Sequence, residues 1–195
     1  MIMPNWASAV YVIEGPHETL QKIEQAILHH DIQENSSEYW EGNTLHALGI
    51  TWDKRPNGDS YYMRGFIREC PYWDGNALKF YAEEAWGLTD FSELLETHFP
   101  DIKVYWMVEE SGNCLYGTND REGKYFPERY YVDTCIDGNY DSEYFKYKSD
   151  AFKWLHNLTN GQVNTDESLE KFNDEHEKAQ DDLDNFICIY EFKVL

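Results

Sequence analysis

Two stretches in which a β-rich run leads into an amphipathic helix, joined by further β-rich runs, predict an α+β fold. The plan is a ferredoxin-like antiparallel sheet with helices on one face, extra β-hairpins and a C-terminal helical elaboration. The chain has 195 residues, 42% of them hydrophobic, with 7 Trp, 15 Tyr and 10 Phe, enough to bury a core in one elaborated domain. That single domain spans 1–195, with a core and hairpin extension over 1–142 and a strand-helix-helix-strand elaboration over 143–195.

Residues 9–14 are β-branched and aromatic and stop at Gly15-Pro16, which reads as a strand feeding a helix. Pro16 suits a first helical turn and Glu18 its positive end. Leu20, Ile23 and Ile27 form the apolar stripe of that helix, which closes near His29-His30. Residues 31–43 are polar and read as a loop, residues 45–52 as a second strand, and residues 55–59 as a turn. A strand over 61–69 follows, ended by Cys70-Pro71. In residues 77–85, Leu78, Phe80 and Ala82 alternate with Lys79, Tyr81 and Glu83, as in a half-buried strand. Asp90 and Glu93 have capping-box spacing before a short helix with Phe91, Leu94 and Leu95 inward.

Residues 102–108 make a strong strand. Turns at 109–113 and 119–123 and strand-like residues 125–135 continue a meander of hairpins. Further on come a short strand over 144–148 and a helix capped by Ser149, with Ala151, Phe152, Leu155 and Leu158 inward and Gly161 as its left-handed stop. A longer helix opens at 165–167 with a narrow seam of Leu169, Phe172, His176, Ala179 and Leu183. Residues 186–194 return as a strand.

Charge excludes more than it selects. With 37 Asp+Glu against 16 Lys+Arg the net charge is −21, and the sequence has no basic run. Duplex binding needs cations that replace condensed counterions, so direct nucleic-acid binding is not expected, nor is an anionic membrane surface. About nine of the twenty residues from 165 to 184 are acidic, which places roughly a third of the net charge there. No transmembrane stretch or signal peptide is recognisable. Cys70, Cys114, Cys135 and Cys188 lack metal or redox spacing and read as buried free thiols of a cytoplasmic protein.

Chemical motifs are sparse. The seven histidines show no zinc spacing. Asp137-Gly138-Asn139-Tyr140-Asp141 imitates the start of a calcium loop, but Ser142 and Lys148 occupy its glycine and glutamate positions. No metal or cofactor is expected. Glu83-Glu84 and Glu109-Glu110 are adjacent on strands, so the two members of each pair point to opposite faces and form no dyad by themselves. No nucleophile, phosphate-loop or dinucleotide motif is present.

The opening Met3-Pro4-Asn5-Trp6, a strand ending in Gly15 and a following helix resemble the start of the YubB-like family. These are plasmid- and phage-borne bacterial proteins with a ferredoxin-like domain. A second block, from Leu78-Lys79-Phe80 through Trp86, Leu94, Leu95, Phe99 and Tyr105-Trp106 to residues 109–117, is similar to the family's corresponding stretch. Ala7 stands where the family usually has Cys. The resemblance implies a fold and a mobile-element context, and carries over no activity or site residue.

The reading is therefore a non-enzymatic, acidic, cytoplasmic interaction or accessory protein whose partner is a basic protein surface. The binding candidates on the acidic helix are Asp174, Glu177 and Asp181. One alternative is a DNA mimic that occupies a basic DNA-binding protein. The other is an enzyme or small-ligand binder with an aromatic and acidic pocket at Trp86, Glu109 and Glu110. The sequence fixes no oligomeric state.

Overall fold

A computed structural model of the chain describes residues 5–28, 39–52, 54–178 and 185–195. The expected opening at Met3-Pro4, the helix close at His29-His30, Asp181 and the seam positions Ala179 and Leu183 lie outside these. The fold is α+β, with two mostly antiparallel sheets and two compact units that divide between Asp120 and Arg121.

The first unit contains β1 (Trp6–Glu14), α1 (His17–Leu28), β2 (Tyr39–Trp40), α2 (Glu41–Ala47), β3 (Gly65–Ile67), β4 (Tyr72–Asp74), β5 (Ala77–Ala85), α3 (Phe91–His98), β6 (Lys103–Glu110) and β7 (Leu115–Thr118). Its sheet runs β7-β6-β1-β5-β3-β2, with β4 also on β5. In the antiparallel register Tyr11 stands between Phe80 and Trp106. Period-two alternation sends Ala7, Ala9, Tyr11 and Ile13 to one face, beside Leu78, Phe80 and Ala82 of β5 and Val104, Trp106 and Val108 of β6. Leu20, Ile23 and Ile27 of α1, Leu45 of α2, and Phe91, Leu94 and Leu95 of α3 complete this core. Each such side chain contributes about 1.5–3 kcal/mol when fully buried. Tyr11 stacks on Phe80 at 5.0 Å and meets the edge of Phe91 at 6.0 Å.

Several expected elements differ. Residues 45–47 close helix α2 instead of opening a strand. Gly49, at φ +76°, and an Ile50 N–H that reaches back 2.9 Å to the Leu45 carbonyl then stop the helix in a left-handed cap. Of residues 61–69 only Gly65–Ile67 form a strand. The Asp90–Glu93 capping box is not made. Asp90 instead accepts the Tyr62 N–H at 2.7 Å, and both acids hold Arg55 at 2.8 Å.

The second unit contains β8 (Tyr130–Ile136), β9 (Asn139–Phe145), α4 (Lys148–Leu158), α5 (Asp166–Lys178), β10 (Phe186–Glu191) and β11 (Lys193–Val194). Its three-stranded sheet runs β10-β8-β9. Val132, Ala151, Leu155, Val163, Phe172 and Ile187 make its core. Asp137 and Gly138, at φ +51° and +74°, form the two-residue β8–β9 turn, so the calcium-loop imitation is a hairpin signal. Gly161, at φ +88°, ends α4 as expected, whereas Ser149 lies inside that helix and Tyr147 precedes it without a side-chain cap. Thr165 and Ser168 bond reciprocally at 2.9 and 3.2 Å to start α5. Asn173 then pins α5 to β10, donating to the Ile187 carbonyl at 2.8 Å and accepting its N–H at 3.0 Å. His176 is packed, with Nδ1 2.8 Å from the Phe172 carbonyl.

Candidate functional site

The strongest electrostatic feature of the first unit is a pair of carboxyls inside its core. Alternation along β5 turns Glu83 outward, to Arg68 at 2.6 Å, and Glu84 inward beside Phe80 and Ala82. The first turn of α2 carries Glu41 to the same spot, and both residues are 0% exposed. Around them, the Tyr11 hydroxyl donates to Glu84 Oε1 and the Thr89 N–H donates to Glu84 Oε2 at 2.7 Å. The Thr89 hydroxyl donates to Glu41 Oε2 at 2.7 Å. Gly65, opposite Glu84 in the β3–β5 register, leaves the space that the Glu41 carboxyl fills.

Two buried carboxyls in contact cannot both be ionised. Burial, and then the Glu84 charge, hold Glu41 well above the ordinary carboxyl value. Burial also raises Glu84, against the hydrogen bonds from Glu41, Tyr11 and Thr89 that favour its charged form. The Tyr11 hydroxyl is raised well above the usual tyrosine range by burial and by the Glu84 and Glu41 charges. Both directions disfavour two charges on the pair and favour a proton on Glu41 beside the Glu84 carboxyl. Glu41 Oε1 has no hydrogen-bond partner among the described residues.

This arrangement is sealed in the core and ties stability to pH. A folded-state pKa above the unfolded value near 4.5 means that the fold binds the proton more tightly. The contribution is complete below the unfolded value and is lost as pH rises through the folded one. Glu41→Gln keeps a neutral donor and removes this dependence. The variant is expected to gain in melting temperature relative to wild type between pH 4.5 and pH 8, measured by circular dichroism. An unchanging difference would contradict the shared proton.

The proposed binding residues sit elsewhere. Trp86 is 44% exposed, at φ +57° after β5, with its N–H bonded to the Asn5 carbonyl at 2.7 Å. The Arg64 guanidinium lies 4.6 Å over its ring. Trp6, in register with Ala85, meets Phe66 at 5.8 Å. Glu109 is half-buried on β6, opposite Ser8 and Tyr116. Glu110 is buried and accepts the Asn113 N–H at 2.9 Å, closing the β6–β7 turn. A groove of about 430 Å³ lies apart from these, lined by Lys22, Gln25, Ala26, Leu48, His98 and Phe99 and carrying no carboxylate.

Asp174 and Glu177 are exposed on α5, with Asp166, Glu167, Glu170 and Glu175. Cys135 is buried and Cys188 half-buried, but Cys70 and Cys114 are exposed, contrary to expectation, because Cys70 lies in the irregular segment between β3 and β4 and Cys114 in the β6–β7 turn. Among the described residues no cluster could hold a metal ion, and no helix is long and apolar enough to cross a membrane.

Sequence reasoning missed Glu41, Tyr11, Thr89 and Gly65. The one local signal was a glycine inside a strand, which marks a close approach. Comparison of the chain with protein-family models, curated proteins and solved structures finds no match.

Proposed function

We propose that this chain is a non-enzymatic interaction or accessory protein of the cytoplasm, and that its second unit meets a basic protein surface. The observation that carries the reading is the two-sidedness of α5. Phe172 and the Asn173 bonds fix one side to β10, while Glu167, Glu170, Asp174, Glu175 and Glu177 face solvent. A helix held this way presents carboxylates at fixed spacing, and such a surface attracts cationic partners at low ionic strength.

For the first unit the proposal is a ferredoxin-like domain. The antiparallel order β6-β1-β5-β3, with α1 after β1 and α3 after β5, supports that plan. The YubB-like resemblance of the same residues would give the chain a mobile-element setting.

The test is capture from nuclease-treated bacterial extract, with elution by increasing salt. Recovery of a short set of basic proteins, released between about 0.1 and 0.5 M salt, is expected, since screening shortens over that range. Displacement of those proteins by added duplex DNA would identify the partner surface as DNA-binding and make the chain a DNA mimic. Recovery of nothing at low salt would overturn the reading.

A further inference from the structure

Among the described residues β9 pairs with β8 alone, and its residues through Tyr144 are all exposed. The two-residue turn makes Ile136 and Asn139 a hydrogen-bonded pair. Every second residue onward, Asp141 and Glu143, therefore bonds to β8, and the N–H groups of Ser142 and Tyr144 point to the free edge. Those two donors are capped from within: Ser142 N–H by Asp141 Oδ1 at 2.9 Å, and Tyr144 N–H by Glu143 Oε1 at 3.0 Å. The strand carries no proline or lysine, and its edge protection is limited to the two carboxylates, Asp141 and Glu143, that cap these donors.

The two faces of β9 differ. Asp141 and Glu143 lie in register with Thr134 and core Val132, on the face that bears α4 and α5. Tyr140 and Tyr144, 68% and 39% exposed, lie on the other. A strand added here would replace each carboxylate cap with a backbone carbonyl and release Asp141 and Glu143 to meet cations.

We infer that the β9 edge docks an extended basic segment of the partner. The segment adds as a fourth strand, with Lys or Arg side chains against Asp141 and Glu143 and apolar side chains against Tyr140 and Tyr144. This rests on the basic-partner reading and names how the partner is held.

The test uses the full chain and a labelled peptide of about ten residues that alternates lysine and valine. A second peptide of the same charge, interrupted by prolines, cannot form a strand. The expected result is at least tenfold tighter binding of the first peptide by fluorescence anisotropy, with slowed amide exchange at Ser142 and Tyr144. Ser142→Pro removes only an outward N–H and is expected to reduce this binding about tenfold. Asp141→Asn with Glu143→Gln, which keeps the shape, should also weaken it and serves if the proline variant does not fold. Equal binding of both peptides, or no effect of either variant, would overturn the edge site and leave the acids as edge protection. Loss of peptide binding on neutralising α5 alone would overturn the edge site but keep the basic partner. Failure of both peptides to bind would overturn both.

Discussion

Replacing Glu84 with alanine is expected to destabilise the first unit by about 3–5 kcal/mol, the usual cost of removing one partner from a buried charged network. The change strands three groups at once. The Tyr11 hydroxyl and the Thr89 N–H lose their acceptor, and the Glu41 proton loses the carboxylate that it bonds. A cavity beside Phe80 and Phe91 adds to the loss. In thermal unfolding this corresponds to a drop of roughly 10–20 °C. Glu84→Gln, which retains one acceptor oxygen, should lose less. A drop below about 1 kcal/mol for the alanine variant would mean that water or neighbouring groups already satisfy these partners.

Gly65→Ala is expected to cost about 2–4 kcal/mol, by a different route. A Cβ there would lie 2.6 Å from Glu41 Oε1 and closer still to Oε2, so the carboxyl must move. A carboxyl at a surface would swing aside at little cost. This one is buried and would surrender its bonds to Thr89 and Glu84. In a Glu41→Ala background the added methyl meets no carboxyl, so most of the penalty should vanish. A double-mutant cycle should then show a coupling of about 1–3 kcal/mol between positions 41 and 65. Simple additivity would place the strain elsewhere.

How much could be read from the chain depends on how local each determinant is. Residues 77–85 show two-residue alternation over a full strand, and β5 has those limits with Leu78, Phe80 and Ala82 inward. Gly161 lies in the left-handed stop after α4 as expected, because such a stop is local, although Asn160 before it, at φ +51°, shares that conformation. Helix α2 escaped notice because Ile50-Thr51-Trp52 after Gly49 look β-like, which masked the stop signal that Gly49 itself provided. Asp90 and Glu93 had the spacing of a cap, but Arg55 lies within reach of both and takes them instead. The carboxyl pair was illegible for a related reason. Glu41 and Glu84 are 43 residues apart, and each looks locally like one more surface acid in a chain with 37 Asp+Glu. Their partnership is made by the β3–β5 register and by the placement of α2. On α5 the acidic composition was legible, and the side of the helix that packs follows from Phe172 and Asn173.

On the proposed reading, the buried carboxyls serve folding and the exposed ones serve recognition. The most direct measurement compares salt-sensitive capture of basic proteins by wild type and by a variant with Glu167, Glu170, Asp174 and Glu177 changed to their amides. Melting temperatures of the two proteins would be matched first, so that a folding defect is not mistaken for lost recognition. At about 0.3–0.5 kcal/mol for each exposed charge, the variant should retain the captured proteins roughly tenfold less well at low salt and equally little at high salt. Capture unchanged by the four substitutions, with folding intact, would contradict the assignment of recognition to the outward face of α5.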